Sequence, residues 1–238
     1  MTSVRLDQVS LAIGMTPIVD DVSLDVADGE FAGLVGPSGA GKTSILRLIA
    51  GLETPSSGDV LIDEESMLDV KPEKRGVVMV FQRHALFPYR TVNENVAFGL
   101  AVKKVPKAER SGRVAAALDS VGMAAFGERW PDQLSGGQQQ RASIARALAV
   151  RPRVLLLDEP LAHLDAELAA EVSAVISDLH ETGDMTTIMI SHDIADLGVA
   201  DRLGVVIDGK VRQYGPVGDV RSHPCDEDVA RIVTGRDR

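Results

Sequence analysis

The segment from residue 31 to 51, FAGLVGPSGAGKTSILRLIAG, constrains the fold of this 238-residue chain more than any other. It begins with a short apolar run and continues through a glycine-rich loop. In the residues that follow, Ile45, Leu48 and Ile49 recur at the spacing of a helix, which Gly51 is placed to cap. The order of strand, glycine loop and helix is the context of a phosphate-binding loop. The sequence therefore predicts an α/β fold built around this loop.

The loop itself matches the pattern G-x-x-x-x-G-K-[ST]. Its glycines allow backbone N–H groups to surround a phosphate, and the N-terminus of the following helix favours an anion. We expect Lys42 to reach the β- and γ-phosphates and the Thr43 hydroxyl to bind Mg²⁺. The predicted nucleotide-binding residues are Gly36, Pro37, Ser38, Gly39, Ala40, Gly41, Lys42, Thr43 and Ser44. The pattern indicates a nucleoside triphosphate, but it is shared by kinases, GTPases, motors, helicases and transporters.

Apolar patterns on both sides of the loop predict two kinds of strand. Alternating apolar and polar residues over 4–13 and 17–26 are typical of half-buried antiparallel strands. The almost continuously apolar runs VVMVF (77–81), VLLLD (154–158) and TTIMIS (186–191) favour strands of a buried parallel sheet. The run LGVVIDGKVRQYG is typical of two strands joined by an Asp-Gly turn.

The middle of the chain has a helical pattern. Pro106 can open one helix, and Ser135 can cap another that ends before the next proline. We therefore predict an α/β core formed by residues 1–83 and 152–238, with a helical subdomain inserted over 84–151. Trp130 is predicted to pack within that subdomain.

Charge and composition limit the classes of partner. The formal net charge is −10, with no basic block, which gives no support to nucleic-acid binding. The single cysteine, Cys225, excludes an internal disulfide and fits a reducing cytosol. No signal pattern opens the chain, and no apolar run approaches the roughly 20 residues that span a bilayer. If the protein works at a membrane, we expect it to dock on another chain.

Two later segments carry further chemistry. VLLLDEP ends an apolar strand with two carboxylates, so Asp158 is expected to hold Mg²⁺ and Glu159 to polarise an attacking water. LSGGQQQR offers the hydroxyl of Ser135, the N–H groups of two glycines and a helix N-terminus, which together form a second phosphate site. Two phosphate sites in one chain make sense if each chain completes the site of a neighbour.

The string LSGGQ resembles the signature of ATP-binding-cassette (ABC) ATPases. The other elements of that family follow in order: Gln82 resembles the Q-loop glutamine, Asp165 in LAHLDAEL the D-loop aspartate, and His192 in MISHD the switch histidine. The resemblance covers residues 36 to 192 and extends towards both ends. It implies a P-loop NTPase (RecA-like) core with an N-terminal antiparallel β part and an inserted helical signature subdomain.

The resemblance also implies roles for individual residues in a head-to-tail dimer that encloses two ATP molecules. The residues implied in catalysis are Lys42, Gln82, Glu159 and His192. The implied Mg²⁺ site consists of Thr43, Gln82 and Asp158. The second copy is expected to contribute Ser135, Gly136, Gly137, Gln138 and Asp165 to the nucleotide. Members of the family often stack the adenine on an aromatic residue, and Ile13 occupies that position here. We therefore expect a weaker or less adenine-selective site, because stacking contributes on the order of 1 kcal/mol.

One segment distinguishes between types of ABC protein. ALFPYRTVNENVAFGL resembles the region after the Q-loop in importers, where Phe87, Pro88 and Tyr89 would receive a coupling helix of a membrane permease. This implies a peripheral subunit on the cytoplasmic face of the membrane, acting indirectly with a solute-binding protein. The alternatives are the ATPase of an exporter and a soluble ABC ATPase outside transport. The tail over 216–238 is expected to be too short for a regulatory domain.

Overall fold

A computed structural model describes residues 2–82 and 86–235 of the chain. Within these residues the chain separates into two compact units. We call residues 1–79, 153–159 and 184–238 the core unit, and residues 80–152 and 160–183 the helical unit. The domain bounds predicted from the sequence stay a prediction. Among the described residues, no helix is long and apolar enough to cross a membrane.

The first sheet of the core unit is antiparallel and has the strand order β2-β1-β4-β5. Along most of β1 and β2, buried apolar side chains alternate with more exposed polar ones, as the sequence pattern predicts. Strands β4 and β5 of this sheet were not predicted. The bounds are β1 Val4–Ile13, β2 Thr16–Val26, β4 Ser57–Ile62 and β5 Glu65–Ser66.

The second sheet has the order β10-β9-β3-β8-β7-β6 and contains the phosphate-loop strand β3 near its centre. Strands β3, β7, β8 and β9 run parallel, which explains why these segments are buried on both faces. Asp208 and Gly209 both have positive φ and form the predicted turn between β9 and β10. The bounds are β3 Phe31–Val35, β6 Val77–Val80, β7 Val154–Asp158, β8 Thr186–Ser191, β9 Arg202–Ile207 and β10 Lys210–Pro216.

The helix that follows the phosphate loop, α1 (Lys42–Ala50), is fixed at its C-terminal end. Gly51 has φ 76°, and its N–H bonds the carbonyls of the last helical turn, as a glycine C-cap does. The buried guanidinium of Arg75 donates to the carbonyl oxygens of Leu48 at 2.9 Å and Ile49 at 3.1 Å. This contact satisfies helix-end carbonyls that would otherwise lack a partner. The core unit also contains α6 (Val217–Ser222) and α7 (Glu227–Thr234).

The described residues of the helical unit form the α-helices α2 Val92–Val102, α3 Lys107–Ser120, α4 Gly136–Leu148 and α5 Ala166–Thr182. Pro106 precedes α3 and Ser135 caps α4, as predicted, whereas α2 and α5 were not predicted. Trp130 is 42% exposed, so more than half of its surface is covered, and its packing within this unit stays a prediction.

Candidate nucleotide-binding site

The phosphate loop joins β3 to α1 in a conformation that requires glycine. Gly39 has φ 82° and Gly41 has φ 96°, backbone angles that residues other than glycine rarely adopt. A Cβ on Gly36 would lie 2.1 Å from the carbonyl oxygen of Val206, and one on Gly41 would lie 2.5 Å from that of Ile18. The loop therefore runs against neighbouring backbone and leaves its own N–H groups free of side-chain obstruction.

Lys42 is buried and lies across this loop. Its Nζ donates to the carbonyl oxygens of Gly36 at 2.7 Å and Pro37 at 2.9 Å. An ammonium has three protons, so a third remains for an oxygen of a bound phosphate. Burial lowers the pKa of Lys42, while the nearby carboxylates of Glu159 and Asp158 act in the opposite direction. The side chain is thus held where it can meet the charge of a triphosphate.

Thr43 and Asp158 form the candidate magnesium position. The Thr43 hydroxyl donates to Oδ1 of Asp158 at 3.1 Å. Burial raises the pKa of Asp158, and the hydrogen bond from Thr43 partly offsets that effect. A hydroxyl and a carboxylate are hard oxygen donors, which suit Mg²⁺ when water and phosphate oxygens complete the coordination. Among the described residues, no cluster of three or more His, Cys, Asp or Glu residues could hold a metal alone. The donor set therefore fits Mg²⁺ that is bound together with a nucleotide.

Glu159 and His192 meet at the carboxyl ends of β7 and β8, two neighbouring parallel strands. Oε2 of Glu159 lies 3.3 Å from Nδ1 of His192. Glu159 has φ 46°, and its N–H bonds the carbonyl oxygen of Ile190 at 3.1 Å. A left-handed conformation costs a residue other than glycine roughly 1–2 kcal/mol, so the fold maintains Glu159 in an unfavourable geometry. Such strain is typical of functional positions.

A group of polar residues that the sequence analysis missed supports His192. The hydroxyl of buried Ser191 donates to Asp196 at 2.6 Å and accepts from the N–H of Asp193 at 3.0 Å. Burial raises the pKa of Asp196, and the bond from Ser191 acts against that shift. Together these contacts fix the turn that carries the histidine. The sequence feature that could have indicated this group is Ser191, a polar residue at the end of the apolar run TTIMIS.

A cleft of about 340 Å³ opens beside the phosphate loop. Its lining includes Ser38 from the loop, His192 and Asp193 from the turn after β8, and Arg231 and Ile232 from α7. The contribution of α7 was not expected, because the C-terminal segment carries no motif.

The remaining predicted residues divide between the two units. Ser44 follows Thr43 in α1, and Ile13 lies 65% exposed at the end of β1, both in the core unit. Gln82 lies in the helical unit, as do Asp165 and the signature residues. The residues that the core unit brings together are therefore the phosphate loop, Thr43, Asp158, Glu159 and His192.

The signature begins α4 with a complete capping box. Oγ of Ser135 accepts from the N–H of Gln138 at 3.3 Å, and Oε1 of Gln138 accepts from the N–H of Ser135 at 3.1 Å. A Cβ on Gly137 would lie 3.1 Å from the Leu168 side chain of α5, so a glycine keeps the two helices in contact. Asp165 caps α5 by accepting from the N–H of Leu168 at 3.0 Å. The Ser135 hydroxyl keeps its own proton for another acceptor.

The sheet, the glycine loop and the Lys42–Thr43–Asp158 arrangement define a phosphate-loop protein that binds nucleoside triphosphates. A family model described as ABC transporter matches residues 19–162. The chain belongs to the ABC transporter family, and the resemblance drawn from the signature is confirmed, together with the predicted fold class.

Individual relatives agree with the family. The chain is 42% identical over 231 residues to the sulfate/thiosulfate import ATP-binding protein CysA of Thermosynechococcus vestitus, covering 97% of this chain and 69% of that protein. It is 44% identical over 234 residues to the putative 2-aminoethylphosphonate import ATP-binding protein PhnT of Salmonella typhimurium, covering 98% of this chain and 63% of that protein.

Solved structures show the same architecture. The dimeric structure of MJ0796, a bacterial ABC transporter cassette, superposes with a TM-score of 0.80 at 32% identity. The match covers 90% of this chain and 98% of that one. A second structure of MJ0796, in a post-hydrolysis state bound to ADP and Pi, matches with the same score.

Proposed function

We propose that this chain is the ATP-binding and ATP-hydrolysing subunit of an ABC importer, which energises solute uptake through a membrane permease. The observation that carries the proposal is the gathering of Lys42, Thr43, Asp158, Glu159 and His192 around a phosphate loop. Two relatives that align with nearly the whole chain are import ATP-binding proteins, which favours an importer over an exporter or a soluble ATPase. Since the membrane and solute-binding subunits select the solute, this chain does not specify it.

The geometry suggests how hydrolysis would proceed. Mg²⁺ held by Thr43 and Asp158, with Gln82 as the proposed third protein contact, would neutralise phosphate charge. Lys42 places a positive charge at the β- and γ-phosphates, where it stabilises the developing negative charge. The Glu159 carboxylate orients the attacking water and accepts its proton. Nδ1 of His192 faces Glu159, so its other nitrogen can hydrogen-bond the γ-phosphate.

We propose that the second half of each site comes from a second copy of the chain. The dimeric cassette MJ0796 supports this assembly. The start of α4 carries two glycines whose N–H groups lie at a helix N-terminus, a position that favours a phosphate. The contributing residues would be Ser135, Gly136, Gly137, Gln138 and Asp165, and Ile13 of the first copy would contact the adenine.

We propose that the permease docks on the helical unit beside Phe87, Pro88 and Tyr89. Pro88 is exposed and the Tyr89 residue is 89% exposed, which is unusual for an aromatic side chain without a partner. The same unit has a groove of about 500 Å³, lined by Ala97 of α2 and by Val114 and other residues of α3. This docking would place the subunit on the cytoplasmic face of the membrane, with a solute-binding protein acting on the far side.

Co-expression with the membrane subunits of a candidate importer, followed by co-purification, tests the proposal. We expect a complex whose ATP hydrolysis in proteoliposomes accelerates when the solute-binding protein is added. Tyr89→Ala should weaken the complex, while Val102→Ala, which also removes an exposed side chain from the helical unit, should not. Hydrolysis that is identical with and without the membrane subunits would contradict the importer function.

A further inference from the structure

The five residues 87–91, which we call the docking loop, form a tight turn. The N–H of Arg90 donates to the carbonyl oxygen of Phe87 at 3.2 Å, and Pro88 occupies the second position of this turn, where its fixed φ is favourable. The loop ends at Thr91, which caps α2 in a capping box with Glu94. The turn therefore presents Pro88 and Tyr89 at its tip.

The side chain of Asn95, near the start of α2, bonds to the backbone of this loop. This side chain is fully buried. Oδ1 accepts from the N–H of Phe87 at 2.7 Å, and Nδ2 donates to the carbonyl oxygens of Phe87 at 3.2 Å, Arg90 at 3.0 Å and Thr91 at 3.0 Å. All four of these hydrogen bonds go to the backbone of the docking loop, and they link its first residue to its last.

The chemistry of an asparagine is needed at this position. The amide supplies one acceptor and two donor hydrogens; the acceptor takes the Phe87 N–H, and the three carbonyl oxygens share the two hydrogens. Aspartate would keep the acceptor for the Phe87 N–H but would face three carbonyl oxygens without a proton. Alanine would remove the acceptor of the Phe87 N–H and the donor to the Arg90 carbonyl oxygen, while the carbonyl oxygens of Phe87 and Thr91 would keep the N–H groups of Arg90 and Asn95.

The ring of Phe87 is also held within the helical unit. It packs at 4.6 Å from the ring of Phe98, and the guanidinium groups of Arg90 and Arg146 lie 5.5 Å and 5.7 Å from its centroid. Arg90 also lies 5.1 Å from the Phe98 centroid. Phe87 is half-buried by these contacts, so it anchors the loop, whereas Tyr89 is left exposed.

We propose that Asn95 is a positioning residue that sets the docking loop in the shape in which Pro88 and Tyr89 meet the membrane subunit. This inference rests on the proposed function. It follows from three features together: a fully buried amide, four bonds to one loop, and an exposed aromatic side chain at the tip of that loop. A loop that is already ordered loses little conformational entropy on binding, so its affinity for a partner is higher.

Hydrogen exchange tests the local part of the proposal. In Asn95→Ala, the Phe87 N–H loses its acceptor, so exchange in a peptide that covers 86–91 should accelerate about tenfold, the equivalent of one net hydrogen bond. Asn93→Ala is the matched control, because Asn93 lies in the same helix and its side chain donates to Glu128 at 2.9 Å. The control should leave exchange in 86–91 unchanged. Equal exchange in the wild type and Asn95→Ala would overturn the inference.

Binding to the membrane subunits tests the functional part. In detergent micelles, Asn95→Ala should bind the membrane subunits of the candidate importer about tenfold more weakly than the wild type and Asn93→Ala do. Its affinity for ATP should remain that of the wild type, a split that general unfolding would not produce. Wild-type binding by Asn95→Ala, combined with faster exchange, would overturn the inference alone. A wild-type chain that does not bind the membrane subunits would contradict the proposed function and the docking role with it.

Discussion

Thr43→Val removes one hydroxyl from the candidate magnesium position and keeps the shape of the side chain. The hydroxyl lies 3.1 Å from Oδ1 of Asp158, a carboxylate that is only 5% exposed. A hydrogen bond to a charged group contributes about 2 kcal/mol, and the buried carboxylate would lose it without gaining water in exchange. For a chain of this size, such a loss lowers the melting temperature of the nucleotide-free protein by about 4–8 °C. Differential scanning calorimetry without nucleotide measures this effect.

The same variant distinguishes the contribution of Mg²⁺ to ATP binding from that of the phosphate loop. In the presence of Mg²⁺, Thr43→Val should bind ATP at least about tenfold more weakly, because a metal ligand is lost. In EDTA its affinity for ATP should equal that of the wild type, since the phosphate loop is intact. Thr43→Ser keeps the hydroxyl and should bind MgATP nearly as the wild type does. Isothermal titration gives all three values. Equal losses with and without Mg²⁺ would refute the assignment of Thr43 to the metal.

Three further substitutions probe the loop and the adenine position. Gly41→Ala should destabilise the protein in urea unfolding by clearly more than Gly39→Ala, because its Cβ would lie 2.5 Å from the Ile18 oxygen whereas that of Gly39 meets nothing within 4 Å. Gly39→Ala should lose only about 1–2 kcal/mol of stability, the cost of the backbone strain that it introduces. Equal losses of stability in the two variants would contradict this explanation. Ile13→Tyr should tighten ATP binding about fivefold and raise its preference over GTP, measured as dissociation constants. An unchanged preference would exclude Ile13 from the adenine site.

Local patterns in the sequence identified the elements that carry chemistry. The phosphate loop, the three apolar strands and the capped signature helix each have a strong local signal, and each was found. The short strands β4 and β5 and the helices α2 and α5 were missed. In α2 the segment VNENVAFGLAV has polar residues only near its start, so its apolar residues do not form a stripe along one face.

Contacts between distant residues could not be predicted from such patterns. Arg75 bonds Leu48, 27 residues earlier, and no periodicity connects the two. The same holds for α7, which lines the cleft beside the phosphate loop with Arg231. Buried polar groups such as Asn95 look like surface residues in a sequence, because their partners are backbone atoms that only the folded chain brings near. A polar side chain can be buried at such a position because the folded chain supplies its hydrogen-bond partners there.

In the proposed mechanism, two copies of this chain close around ATP, and Glu159 is the base that activates the attacking water. Glu159→Gln keeps the shape of the side chain but removes the base, so ATP should bind without being hydrolysed. Sedimentation velocity with ATP should then show a stable dimer, whereas ADP should leave monomers. Lys42→Ala is the control, since loss of the loop ammonium should weaken nucleotide binding and prevent the ATP-dependent dimer. A Glu159→Gln protein that hydrolyses ATP at the wild-type rate, or stays monomeric with ATP bound, would contradict the account.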